Sequence, residues 1–273
     1  MIREILSFID DAEKGAQHVT ALVDIGARLG AHIKIGVLTA APMMLPELAP
    51  FGSLYLPEIA LRADGELQIG RARGLVAAAA DRVDIWGYHD SVGWLAADVR
   101  DSRQIADLIA IGDADSWNVP WLRRKLIETL LLSAGTPILL LPGTPKIGRV
   151  RHAVLGWKPS AQANRVVHDL VALAEPGARI DVVTVGPAPE GEPAELPGSG
   201  IKRHLARHGF AVEMFRINDG DEPEDQLQAF AVRHKADLLA VGGFAHTRIR
   251  EIVLGGVTRA LIDSPFLPVL MAH

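Results

Sequence analysis

Two distant stretches of the chain carry almost the same residues: Ala106-Asp107-Leu108-Ile109-Ala110-Ile111-Gly112 and Ala236-Asp237-Leu238-Leu239-Ala240-Val241-Gly242. The match extends around them. Pro137-Ile138-Leu139-Leu140 sits where Pro268-Val269-Leu270-Met271 does, and Gly30-Ala31-His32-Ile33 corresponds to Gly177-Ala178-Arg179-Ile180. A chain that repeats its core segments in the same order is constrained to fold as two copies of one unit. The boundary falls near Pro142 to Gly148, which sets the halves at residues 1–143 and 149–273.

Each half alternates short apolar runs with amphipathic stretches. Strands are predicted at 5–9, 33–38, 83–88, 106–111 and 137–141, with helices at 16–29, 61–82, 95–99 and 121–133. The second half gives strands at 151–157, 180–185 and 212–217, helices at 161–173, 201–207 and 224–234, and two closing strands after Ala236. Strands that alternate with helices pair in parallel through right-handed crossovers. The expected fold is therefore α/β: two tandem doubly wound, Rossmann-like domains. The stretch from Ala40 to Pro57, broken by Pro42, Pro46 and Pro50, cannot be a long helix. It reads as an apolar covering loop and accounts for the extra length of the first half. Pro187 to Pro197 reads as a linker.

The closing segment carries the chemistry. Asp237 to Val241 is a buried parallel strand that stops at Gly242 and Gly243. Thr247 to Leu254 has apolar residues at 249, 252 and 253, a helical spacing. Gly255 and Gly256 interrupt it, because two glycines inside a helix cost about 2 kcal/mol relative to alanine. A fresh helix is expected from there through Val257, Thr258, Leu261 and Ile262. The first N–H groups of such a helix have no partner within it, its dipole favours an anion, and glycine lets a ligand approach the backbone. Close helix–sheet packing is the other use of such a glycine pair, and spacing alone leaves both open.

Composition removes several classes. The 273 residues are 49% hydrophobic and 22% charged, enough for a sizeable core. Net charge is −5 without a basic tract, which argues against a nucleic-acid surface or a polybasic membrane contact. There is no cysteine, hence no disulfide, thiolate metal site or thiol nucleophile. The first residues lack a signal-peptide pattern, and no apolar run reaches the roughly 20 residues that cross a bilayer. A cytoplasmic protein is expected.

The element order, the Ala-Asp-Leu-Leu-Ala-Val-Gly strand, the glycine-preceded helix and the terminal Pro-Val-Leu strand resemble the universal stress protein family in its tandem form. The resemblance implies a five-stranded parallel sheet in each half, of the adenine nucleotide alpha hydrolase-like type. It also implies final strands that pair across the two halves as an internal pseudo-dimer, with further homodimers within the family's range. Many members bind ATP, with Mg²⁺, through a Gly-x-x-Gly, nine residues, Gly-Ser/Thr pattern after the fourth strand. In this chain the pattern falls on Gly242, Gly243, Phe244, Ala245, then His246 to Leu254, then Gly255-Gly256. Ala245 replaces the second glycine and Gly256 the hydroxyl residue, while Thr258 offers a hydroxyl in the same turn. By the resemblance the base pocket lies at Gly156-Trp157-Lys158 and Val185, with lysine where the family usually has aspartate.

The implied function is adenine-nucleotide binding or sensing in a stress response. A nucleotide-free scaffold, or a binder of an apolar ligand under the 40–57 loop, is the alternative; slow ATP hydrolysis is a third reading. The first half is read as a degenerate copy: Asp113 and Asp115 follow Gly112, Arg124-Lys125 lie near the place of Gly255-Gly256, and Asp10-Asp11 remain after the first strand. His246 is assigned to the ligand and Arg250 to solvent. His204 and His208, four residues apart on a helix, read as surface histidines, Ser160 as a helix cap, and Trp94, Trp117 and Trp121 as packing residues. No nucleophile–base–acid set is present in the sequence.

Overall fold

The structure is a computed structural model that describes residues 2–41, 56–91, 106–133, 135–143, 149–186, 199–217, 223–243, 245–248, 251–254 and 256–273. The 42–55 loop, the expected helix at 95–99 with Trp94, the 187–197 linker, Phe244, Arg250 and Gly255 lie outside the described residues. Two compact units emerge, Ile2–Thr136 and Pro137–His273.

In the first unit, β1 (Glu4–Ile9), β2 (His32–Ala41), β3 (Val83–Ser91) and β4 (Leu108–Ile111) form a parallel sheet in the order β3-β2-β1-β4. Helices α1 (Ala16–Leu29), α2 (Leu56–Leu75) and α3 (Pro120–Ser133) connect or follow them. The expected helix to residue 82 ends earlier, and a 3₁₀ turn at Ala77–Ala79 leads into β3. Ile5, Ile33, Ile35, Val37 and Ile111 are fully buried, as central parallel strands covered on both faces require.

In the second unit the order is β5-β12-β9-β6-β7-β8. The strands are β5 (Ile138–Leu140), β6 (His152–Gly156), β7 (Arg179–Val185), β8 (Ala211–Ile217), β9 (Leu238–Gly242) and β12 (Val269–Ala272), with α4 (Ala161–Leu173), α5 (Ser199–Arg207), α6 (Pro223–Arg233) and α7 (Gly256–Asp263). Five of these strands run parallel; β5 lies antiparallel beside β12. The last strand expected of the first half is thus found in the second unit.

The repeated residues have repeated jobs. Asp107 Oδ2 accepts from the N–H groups of Arg3 and Glu4 at 2.6 and 3.0 Å, and Asp237 Oδ2 accepts from those of Arg151 and His152 at 2.9 and 3.0 Å. Each carboxylate fixes the start of its first strand against its fourth, which equates Glu4 with His152 and hence Asp10 with Lys158. Gly30 and Gly177, at φ 64° and 78°, make the left-handed turn into β2 and β7 that a side chain would strain. Ser160 caps α4, its Oγ accepting from the Ala163 N–H at 3.0 Å.

One expected element is replaced. Residues expected to continue as a helix from Thr247 to Leu254 instead form a hairpin, β10 (Ala245–Arg248) with β11 (Glu251–Leu254). Thr247, Ile252 and Val253 are β-branched and favour strands over helix. The register sets Thr247 opposite Ile252 and Arg248 opposite Glu251. Trp117 packs in the core as expected at 2% exposure, whereas Trp121, in the first turn of α3, is 54% exposed. Among the described residues no helix is long and apolar enough to cross a membrane.

Candidate functional site

In an open parallel sheet, ligands bind beyond the carboxyl ends of the strands, where the chain passes from strand to helix. The second unit assembles most of the predicted residues there. Gly156 ends β6, Val185 ends β7 and Gly242 ends β9, on three strands adjacent in the order β9-β6-β7. Trp157 follows Gly156 and stays tied to the sheet, its N–H donating to the Val183 carbonyl at 2.8 Å. Gly243 likewise donates to the Ala272 carbonyl at 2.7 Å. Lys158 stands exposed at this edge. Helix α7 starts at Gly256, as expected, with Val257 half-buried and Thr258 buried in its first turn.

Gly242 is required where it stands. A Cβ there would lie 2.7 Å from the Ala163 nitrogen and 2.9 Å from the Gln162 carbonyl carbon, both backbone atoms of the first turn of α4. Those atoms cannot move without displacing the helix. Gly156 is less constrained, since its Cβ would meet the side-chain ends of Leu227 and Val241 at 3.1 Å. The indole N–H of Trp157 is buried and has no hydrogen-bond partner among the described residues. An unpaired buried donor is costly.

Two predicted residues take a different backbone from the one expected. Ala245 and His246 sit in β10, opposite Leu254 and Val253. The nine residues expected as loop and helix between the glycines are therefore largely hairpin.

The first unit fills the corresponding edge from within. Asp10, directly after β1, accepts from the N–H of Asn118 at 2.8 Å and of Val119 at 2.7 Å, the amides that lead into α3. An anion at that place would meet a carboxylate already bound. Burial pushes the Asp10 carboxyl above the ordinary aspartate range, the two amide bonds pull it back, and Asp11 raises it further. Asp113 is engaged locally, Oδ1 accepting from the Ser116 N–H at 3.2 Å. Behind it, the buried His18 shares a 2.8 Å hydrogen bond with Ser7, whose hydroxyl donates to the Ala110 carbonyl. The Ser7 proton being committed, His18 Nε2 is the donor, and Nδ1 has no partner among the described residues. Burial, then the charge of Arg123, depresses the His18 pKa to about 3, so the ring is neutral.

Sequence reasoning missed a second polar cluster, at the opposite edge of the second unit. The fully buried Asp181 of β7 accepts from Arg179 Nε at 2.8 Å and lies 2.9 Å from His152 Nε2 and 3.6 Å from His234 Nδ1. Arg179 also reaches Glu213 at 3.0 Å. Parallel register gathers His152, Arg179, Asp181 and Glu213 from β6, β7 and β8, His234 joins them from just after α6, and the sequence signal was a charged residue, Asp181, between apolar neighbours. Among the described residues no group of three or more His, Asp or Glu is arranged to hold a metal ion.

No family profile matches the sequence, and no curated protein matches it. Solved structures do. A universal stress protein from Archaeoglobus fulgidus DSM 4304 superimposes with a TM-score of 0.71 at 14% identity, over 98% of this chain and 97% of that one. A functionally unknown protein from Pseudomonas aeruginosa PAO1 gives a TM-score of 0.56 at 13% identity, over 99% of this chain and 92% of the other.

Proposed function

We propose, from the premise that this chain has the fold of universal stress proteins, that its second unit binds an adenine nucleotide, ATP, and acts as a nucleotide-responsive stress protein in the cytoplasm. The observation that carries this reading is a charge reversal at one structural position. Where Asp10 occupies the amides before α3 in the first unit, the second unit has Lys158. A lysine beside a glycine-led helix N-terminus favours a phosphate; an aspartate bound to amides excludes one. Lys158 and the first N–H groups of α7, at Gly256 and Val257, would face the phosphates. Gly156, Trp157 and Val185 would line the base, with the Trp157 N–H as a donor to it.

The protein purified without added nucleotide, then denatured, is expected to release ATP or ADP near one per chain by mass spectrometry. Calorimetric titration with ATP and Mg²⁺ gives the affinity directly. Gly255→Val should abolish binding, and Lys158→Glu should weaken it about tenfold, roughly 1.4 kcal/mol. Absence of both released nucleotide and heat sinks the reading.

One observation favours a rival, a nucleotide-free scaffold. The β10–β11 hairpin commits the backbone of Ala245 and His246 to strand pairing, where the family pattern has a phosphate-binding loop. A folded protein that releases nothing and gives no heat with ATP would put the scaffold first.

A further inference from the structure

The nucleotide reading leaves a cationic cluster unused on α4 and α5. His168 of α4 and His204 of α5 have ring centroids 6.1 Å apart, and His204 and His208, one turn on, 4.8 Å, all edge to face. Helix α5 leaves the carboxyl end of β7 and ends just before β8 begins, so His204 and His208 lie toward the amino edge of the strands. That is the edge opposite Gly242 and Gly256. His168 and His208 are exposed and His204 half-buried.

The same helix carries Lys202, Arg203 and Arg207 and no acidic residue, although the chain as a whole has a net charge of −5. All three are exposed, and none has a hydrogen-bond or ion-pair partner among the described residues. On α4, Asp169 is engaged by Arg165 at 3.5 Å. Like charges one turn apart on a helix repel, and the acidic group that faces the cluster is Asp169, which His168 and Arg165 share. The imidazole of His204 bears the effect: burial first, then His208, His168 and Arg207, lower its affinity for a proton. No three of these side chains stand in a metal-holding arrangement.

We propose that His168, His204, Arg207 and His208 bind a small, multiply charged phosphate-type anion at the α4–α5 surface. The guanidinium of Arg207 offers paired N–H donors, and each imidazole adds a charged donor when protonated. The anion relieves the mutual repulsion and so draws protons onto the histidines. Binding is therefore tighter at lower pH. This site is independent of the nucleotide edge and stands or falls separately from it.

The test is NMR of the histidine ring protons in the full chain, titrated with inorganic phosphate against sodium chloride at matched ionic strength. Saturable shifts confined to three histidines are expected, with about fivefold tighter binding at pH 6 than at pH 8. Arg207→Gln should weaken phosphate binding about tenfold, and Lys158→Glu should leave it unchanged. His208→Gln, an exposed substitution checked for fold by circular dichroism, should weaken it as well. Shifts that are linear, equal in chloride or unchanged in Arg207→Gln would overturn the proposal. Saturable shifts with Zn²⁺ but none with phosphate would overturn it in favour of a metal site.

Discussion

The two units begin their sheets with the same device and finish them with opposite charges. Asp107 and Asp237 hold the first strand of each by matching bonds, yet the position after the first strand is Asp10 in one unit, bound to two amides, and Lys158 in the other. One pair at the amino edge is reversed as well: Glu4 pairs with Lys34 at 3.0 Å where His152 pairs with Asp181 at 2.9 Å. The neighbouring pair keeps its order of base and acid, His32 with Asp84 at 2.9 Å and Arg179 with Glu213 at 3.0 Å. A duplicated fold keeps its backbone anchors and lets its charges exchange sign, provided both partners exchange together. Function can then differ between copies without cost to the scaffold.

The largest expected difference between the units lies in these exchanged pairs. Asp181 is fully buried with three partners, so Asp181→Ala takes the acceptor from His152 and His234, leaves Arg179 with Glu213 alone, and should cost about 3 kcal/mol. Glu4 is partly exposed, and Glu4→Ala at the corresponding pair should cost less than about 1 kcal/mol. Urea unfolding of the full chain measures both; equal costs would break the claim that burial separates the pairs.

A smaller effect concerns the core. Strand register sets Ser7 against Leu155, and the burial of 18, 19 and 22 on α1 matches that of 166, 167 and 170 on α4, which sets His18 against Val166. The first unit thus holds a Ser–His pair where the second holds Leu–Val. His18 is held neutral with a pKa near about 3, below its ordinary 6.5, so the unfolded chain takes the proton first on acidification. Stability should fall as pH drops from about 6.5, by about 2 kcal/mol at pH 5. Ser7→Leu with His18→Val should flatten that slope. A slope unchanged in the double variant would assign acid sensitivity elsewhere.

The smallest effect sharpens the comparison at the carboxyl edge. Asp10→Ala leaves two amides unpaired and should cost about 1 kcal/mol, the usual worth of such a cap. Asp10→Asn keeps an acceptor and removes a charge that burial disfavours. Because the Asp10 carboxyl titrates above its unfolded value, its contribution is full in acid and declines as pH rises through the folded pKa. The asparagine variant should therefore be near neutral at pH 7 by thermal melting, and a loss equal to that of alanine would show that the charge itself is needed.

Much of this protein was legible in its residues. The repeat fixed two α/β units, glycine at 30 and 177 marked the turns into the second strands, Ser160 marked a helix start, and the glycine pair marked the start of α7. These are local signals, carried by backbone freedom, capping and hydrophobic period, and they act over a few neighbouring residues. The hairpin at 245–254 misled the reading because apolar positions at 249, 252 and 253 satisfy a helical spacing while β-branching and cross-strand pairing favour strands. Such a choice is made by pairing between the two arms of the segment, which a helical spacing does not register.

Sequence alone determined the repeat, the fold class and the glycines and valine, Gly156, Val185 and Gly242, at which three strands of the second unit end. Tertiary structure alone decided that Asp10 fills the amides before α3, that Asp181 gathers His152, His234 and Arg179, and that His168 joins His204 and His208. Each of these joins residues from different strands or helices. Register and helix packing bring them together, and neither is written within any single stretch of chain.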